Sequence, residues 1–195
     1  TALIPAGPMP TGISNDEKKK VRELNAKGEL DDDALLEMES KAYHSPGTCT
    51  FYGTANTNQM LMELMGLHVP GASFVPPNCE LREQLTKEAV KQVLEWSKQR
   101  NFERCLANLV DERSIVNALV GLMATGGSTN LVIHLIAIAK AAGIVLTLQD
   151  ISDVSSVTPL LVKLYPNGSA DVNRFHSLGG TAYLISELLD NGYLH

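Results

Sequence analysis

The sequence predicts a helix-rich α/β fold, part of a parallel-sheet α/β domain with buried apolar helices. Three observations carry this expectation. Most of the chain shows apolar residues at helical spacing. Two segments, Ile115–Ala124 and Leu131–Ala142, are apolar almost all round, the mark of helices inside a larger core. Two short stretches, Ala2–Ala6 and Ile144–Leu148, read as strands, too few for a complete sheet.

The elements follow in order. After Ala2–Ala6, the run Gly7-Pro-Met-Pro-Thr-Gly12 is loop. Ser14 with Glu17 three residues on forms a capping-box signature before a helix over Lys18–Lys27. Asp31-Asp-Asp33 places acidic residues at the start of a second helix, Ala34–Tyr43, where the helix dipole favours them. Both helices are charge-rich and expected at the surface. Asn56–Met65 reads as a helix whose Met60, Leu61, Leu64 and Met65 are core filler rather than a ligand set.

Val69–Asn78 is a proline- and glycine-rich loop, and Glu80–Gln99 a long amphipathic helix with Leu81, Leu85, Ala89, Val93 and Trp96 on one face. Ser114 is a cap for the helix over Ile115–Ala124, and Gly126-Gly127 ends it. Gly143 closes the next helix ahead of the strand-like Ile144–Leu148. A short helix within Asp150–Leu164 is interrupted at Pro159, Pro166-Asn-Gly168 is a turn, and His176–Leu189 is a closing helix ended by Gly192. There is no internal repeat.

Composition narrows the function classes. The chain has 195 residues, 44% hydrophobic and 19% charged, with a formal charge of −6. That balance argues against nucleic-acid binding, and no basic run suggests otherwise. Apolar residues from Ile115 to Leu148 are cut by Gly126–Asn130 and carry His134 and Lys140, so no membrane span is expected. The three cysteines, Cys49, Cys79 and Cys105, form no Cys-x-x-Cys pair, which favours a reducing compartment and a cytoplasmic location. No signal peptide is legible. The chain starts without a methionine, on residues like the end of a strand, as a piece of something longer would.

Cys49 is the first candidate for chemistry. It lies in HSPGTCTFYGTANTN, residues 44–58, a hydroxyl- and asparagine-lined loop with no charged side chain between Lys41 and Glu63. A free cysteine is often a small buried hydrophobe. Here a helix start follows, whose free N–H groups would lower a thiol pKa or favour an anion. Nucleophile, redox thiol and metal or cluster ligand all fit that setting. Cys79 and Cys105 lack such a loop and read as structural. The second candidate is Thr125-Gly-Gly-Ser-Thr-Asn130, where glycines and polar side chains interrupt apolar helices. Such groups cap helices, or hold a carboxylate or phosphate. His134 follows one turn later and reads equally as a packed core histidine. No His-Glu-x-x-His, P-loop, Gly-x-Ser-x-Gly or Gly-x-Gly-x-x-Gly occurs.

The segments GTCTFYGTANTN (47–58) and TGGSTNLVIHL (125–135), with LYPNGSADVN (164–173) after them, resemble the dihydroxy-acid dehydratase/6-phosphogluconate dehydratase family. The resemblance covers the chain from about Ala6 to His195. The Thr50-Phe-Tyr-Gly-Thr-Ala-Asn-Thr-Asn58 version looks like the branch acting on a phosphorylated sugar acid in the Entner–Doudoroff route of gluconate breakdown. Branched-chain amino-acid synthesis and sugar-acid dehydration are the alternatives within the family. A catalytically inactive folded fragment or a binding module is the alternative of another class.

The resemblance implies that residues 1–195 are part of one N-terminal iron–sulfur dehydratase domain, with a β-rich C-terminal domain lying outside the chain. It further implies a [4Fe-4S] cluster held by three cysteines, of which Cys49 is the last. A divalent ion (Mg or Mn) would be held by residues outside this chain, and the working form would be a homodimer. A cluster iron without a cysteine would act as Lewis acid on the substrate's C3 hydroxyl while a base, outside this chain, takes the C2 proton. Thr48, Thr54, Asn56, Asn58, Ser128, Thr129, Asn130 and His134 are the candidate substrate-binding residues. Ser128, Thr129 and Asn130 are also expected to cap the helix over Leu131–Ala142, with that N-terminus facing the Cys49 pocket.

Overall fold

A computed structural model describes residues 1–195. It contains helices and loops and no strand. Ten α-helices follow in order: α1 (Asn15–Ala26), α2 (Asp32–Ala42), α3 (Thr54–Leu64), α4 (Glu80–Lys98), α5 (Leu106–Leu109), α6 (Glu112–Ala124), α7 (Asn130–Ala141), α8 (Leu148–Val157), α9 (Val172–Ser177) and α10 (Gly180–Asp190). A single 3₁₀ turn, Phe102–Arg104, precedes α5.

N-cap side chains open half of the α-helices. The Ser14 hydroxyl accepts the Glu17 N–H to open α1, and the Asp31 carboxylate accepts the Ala34 N–H to open α2. Asp111, rather than Ser114, is the cap of α6. Ser114 sits three residues in, its hydroxyl accepting the Asp111 N–H while the Asp111 carboxylate accepts its own N–H. That reciprocal pair satisfies two orphan donors at once.

The expected parallel sheet is absent. Ala2–Ala6 is extended, with one backbone bond from Leu3 N–H to Leu67 O at 2.7 Å and, beyond it, an isolated bridge between Pro8 and Thr48. Pro5 and Pro8 carry no N–H to continue a ladder. Ile144–Leu148 is not a strand either. Thr147 caps α8 in a reciprocal box with Asp150, so the helix already claims Leu148. Val145 points to solvent at 86% exposure, with no neighbouring strand to cover it.

The core lies where α3 meets α6, with α7, α8 and α10 packed around them. Met60, Leu61, Leu64 and Met65 are all buried there, against Leu119 and Leu122 of α6. Nine residues of α6 are buried, including Gly121, where a Cβ would collide with Leu64. The other apolar helix departs from expectation. In α7 only Leu131, Leu135 and Ala139 are buried, a single stripe at i, i+4, i+8, while Ile133 is 71% exposed. In α4 the expected face is kept at Leu85, Ala89, Val93 and Trp96, which are buried or half-buried, while Leu81 is exposed and Arg82 is buried in its place. The closing helix is split in two. Gly179 and Gly180 both take positive φ, a conformation that suits glycine and breaks the run between α9 and α10.

Candidate functional site

Three distant segments meet at the Cys49 loop. The Thr48 N–H donates to Gly7 O at 2.9 Å, and the Met9 N–H returns a bond to Thr48 O at 2.8 Å. Further along, the Tyr52 N–H donates to Tyr165 O at 2.8 Å and the Val172 N–H to Thr50 O at 3.0 Å. The Asn173 amide donates to Met9 O at 2.9 Å, and the Thr11 hydroxyl to the Asp171 carboxylate at 2.6 Å. Residues 7–11, 48–52 and 164–173 are thus stitched into one unit. Gly47 is required there: its φ is +129° and a Cβ would overlap the backbone of Met9.

Within that unit, Asn56 from the first turn of α3 holds the cysteine's own backbone. It is fully buried at 0% exposure, and its Nδ2 donates to Cys49 O at 2.6 Å and to Phe51 O at 2.8 Å. Its Oδ1 accepts from the Thr48 hydroxyl at 2.8 Å and from Gln59 Nε2 at 3.0 Å. Gln59 in turn accepts the Gly7 N–H at 2.7 Å. Every hydrogen-bonding group of the Asn56 amide is engaged on its neighbours. Thr48 and Asn56 therefore brace the loop and present no free donor.

The Cys49 thiol is half-buried and lies 3.9 Å from Phe51 O. Burial pushes its pKa up; backbone hydrogen bonding at Phe51 and at Cys49 itself and the charge of Lys18 pull the other way without reversing it. The lowering expected from the start of α3 is not realised, because desolvation dominates. The thiol opens on a cavity of ≈ 490 Å³ whose wall includes Met9, Asn15, Lys18, Lys19, Arg22 and Glu23. Tyr43, Phe51 and Tyr165 complete much of the rest, the two latter rings edge-to-face with centroids 6.4 Å apart. The cations of α1 were invisible as site residues in the sequence, where they read only as a solvated face. Their one legible signal is the i, i+4 spacing of Lys18 and Arg22.

The second candidate cluster is real but different in kind. Thr54 and Ser128 share a hydroxyl–hydroxyl bond of 2.9 Å, and Asn130 Nδ2 donates to Thr54 Oγ1 at 2.9 Å. The Ser128 N–H donates to Thr57 Oγ1 at 3.1 Å. These contacts join the N-termini of α3 and α7, and Gly127 permits the approach, since a Cβ there would strike Thr57 and Leu122. The capping expectation holds only for Ser128, whose hydroxyl accepts the Asn130 N–H at 3.4 Å; Thr129 caps with no side-chain bond. Asn58, Thr129 and His134 are exposed. None of Ser128, Thr129, Asn130 or His134 lines the Cys49 cavity.

The other cysteines stand apart. Cys79 donates to Pro76 O at 3.2 Å beside the start of α4, and Cys105 is exposed on a separate cavity with Trp96 and Arg104. All three thiols are free, and no three His, Cys, Asp or Glu side chains gather as a metal-binding group.

With this geometry in hand, comparison with known proteins is decisive on family. The family described as dihydroxy-acid/6-phosphogluconate dehydratase N-terminal matches residues 1–195. The chain belongs to that family. It is 61% identical over 193 residues to the phosphogluconate dehydratase of Rhizobium meliloti, covering 99% of this chain and 32% of that protein. Identity to the phosphogluconate dehydratase of Pseudomonas aeruginosa is 57%, over 100% of this chain and 32% of the relative. The dihydroxy-acid dehydratase of Thermus thermophilus is 37% identical over 87% of this chain and 30% of its own. This dehydratase-family chain thus spans about a third of the length of the curated relatives it matches. No helix in it is long and apolar enough to cross a membrane.

Proposed function

We propose that this chain is the N-terminal piece of a phosphogluconate dehydratase. Such a hydro-lyase converts 6-phospho-D-gluconate to 2-dehydro-3-deoxy-6-phospho-D-gluconate and water, in the Entner–Doudoroff pathway. The observation that carries the reading is the contrast in identity: 61% to a phosphogluconate dehydratase against 37% to a dihydroxy-acid dehydratase.

The cysteines of this chain alone do not fit a cluster held by three thiolates. Cys49 is one ligand with a prepared loop, and Cys79 and Cys105 face other surroundings. The proposed role of the chain is therefore to supply that single ligand to a [4Fe-4S] centre completed by other parts of the longer protein, together with any divalent ion. Such a centre supplies Lewis acidity for the departing hydroxide.

What these residues do can be stated from their geometry. Asn56, Thr48 and Gln59 hold the Cys49 backbone, so the thiol is pre-positioned before any metal arrives. Burial keeps it protonated in the free chain, so ligation must displace a proton. Thr54, Ser128 and Asn130 tie the N-termini of α3 and α7 together outside the lining of the Cys49 cavity, so a substrate role for them requires a ligand that extends beyond that cavity; Asn58, Thr129 and His134 are exposed. A homodimer in a reducing cytoplasm is the proposed working form, supported by the resemblance and by three free thiols.

The deciding experiment is turnover by the full-length protein purified without oxygen. Formation of the 2-keto acid from 6-phosphogluconate, with little from 2,3-dihydroxyisovalerate or gluconate, is expected. The reverse preference would overturn the proposal. In anaerobic reconstitution with iron and sulfide, the isolated chain is expected to take up no stoichiometric cluster, whereas the full-length protein does.

A further inference from the structure

Resting on the reading above, the geometry points to the Lys18–Lys19–Arg22 wall of the Cys49 cavity as the seat of the substrate's phosphate group. The formal charge of the chain is −6, yet this one cavity carries three cations and a single carboxylate, Glu23. A concave patch of sign opposite to the whole protein focuses field on a small anion. The cations are not equally committed. Lys19 lies 3.7 Å from Glu23, and Arg22 lies 3.4 Å from Glu39 of α2, close to the Tyr43 hydroxyl at 3.5 Å. Lys18 enters no ion pair, so it is the cation free to meet a ligand.

Arg22 leans toward Glu39 and Tyr43, whereas Lys18 has no ion-pair partner. Met9, Phe51, Tyr165 and Pro166 add apolar surface to the lining of the same cavity. A ligand matching this lining has an anionic head and a carbon backbone that leads toward the Cys49 end of the cavity. The cavity of ≈ 490 Å³ lies within the range of about 300–1,000 Å³ typical of small-molecule sites. A phosphorylated sugar acid fits that description, and an unphosphorylated dihydroxy acid leaves the cationic wall unused. Lys18 thereby becomes a specificity residue for phosphate, and no part of the chemical step passes through it.

The test uses full-length, cluster-loaded enzyme carrying Lys18→Gln, with Lys20→Gln as control because Lys20 lies on α1 outside the cavity wall. Lys18→Gln is expected to raise KM for 6-phosphogluconate about tenfold, a ratio corresponding to ~1.4 kcal/mol of lost binding. kcat should stay within about twofold and iron content unchanged. Calorimetric binding of inorganic phosphate should weaken by a similar factor in Lys18→Gln and not in Lys20→Gln. Unaltered KM and phosphate affinity in both Lys18→Gln and the Lys18→Gln/Arg22→Gln double variant would overturn the inference. Wild-type enzyme that binds phosphate through Lys18 but fails to turn over 6-phosphogluconate would sink the proposed function and leave the anion site standing.

Discussion

α1 and α3 both serve the Cys49 cavity, and they are built in opposite ways. α3 has six buried residues, among them the polar Asn56, Thr57 and Glu63, each satisfied by protein partners. α1 has no buried residue and packs chiefly on α2. The first fixes where the thiol stands; the second decorates the cavity with charge. The difference separates two kinds of cost. Substitutions on the α3 side strand buried polar groups and loosen the site, because an unpaired buried acceptor loses its solvation. Substitutions on the α1 side change what the cavity attracts, with little effect on folding.

The sharpest way to break this division is at the thiol itself. Cys49→Ser in the full-length enzyme is expected to abolish dehydration, by more than about a hundredfold, and to lower iron content, since an alcohol is a poor substitute for thiolate at iron. Normal iron and normal turnover in that variant would remove Cys49 from the site.

Next in size is the core that carries α3. Leu119→Ala, in the fully buried contact between α6 and α3, should cost about 2–5 kcal/mol, seen as a lower thermal midpoint. Asn56→Ala should cost about 1–3 kcal/mol by stranding the Cys49 carbonyl, since Phe51 O keeps the Gly53 N–H as a donor. It should also reduce iron content. If Asn56→Ala left both stability and iron untouched, the bracing role assigned to α3 would be wrong.

A pH scan probes the same side of the molecule. His68, just beyond α3, is buried against Ser73, and burial, reinforced by the Arg82 charge, lowers its pKa to about 4. The unfolded chain then binds the proton more readily than the folded one between about pH 6.5 and pH 4. Stability contributed by neutral His68 is full above about pH 6.5 and declines as pH falls toward 4, by ~3 kcal/mol at most. His68→Asn should flatten that slope in acid unfolding curves, and an unchanged slope would assign it elsewhere.

The smallest effect belongs to the junction of α3 and α7. Ser128→Ala should cost about 0.5–1 kcal/mol, because its cap bond to Asn130 is long at 3.4 Å and Thr54 keeps Asn130 as a partner. A loss of turnover beyond that would mark Ser128 as a substrate contact.

Much of this molecule was legible before any coordinates. The ends of α1, α2 and α4 fall within a few residues of their expected places because caps and periodicity are local properties of the chain. The Met60–Met65 run is core filler as its spacing implied. The Cys49 loop stood out because glycines, hydroxyls and asparagines without charge have few other uses, and its motif carried the family. Strand pairing is another matter. It depends on a partner distant in sequence, so Ala2–Ala6 and Ile144–Leu148 could look like strands and yet form no ladder, the second losing its end to the cap of α8.

Sequence by itself thus determined where the capped helices α1, α2 and α6 begin, the core face of α3 and which cysteine has a prepared loop, since these follow from neighbours along the chain. Tertiary structure alone decided that residues 7–11, 48–52 and 164–173 close around that cysteine. It also decided that Thr48 and Asn56 are spent on bracing and that the charged face of α1 turns toward the cavity. Concavity, desolvation and hydrogen-bond saturation arise between segments far apart in sequence, and a linear pattern carries no record of which segments will meet.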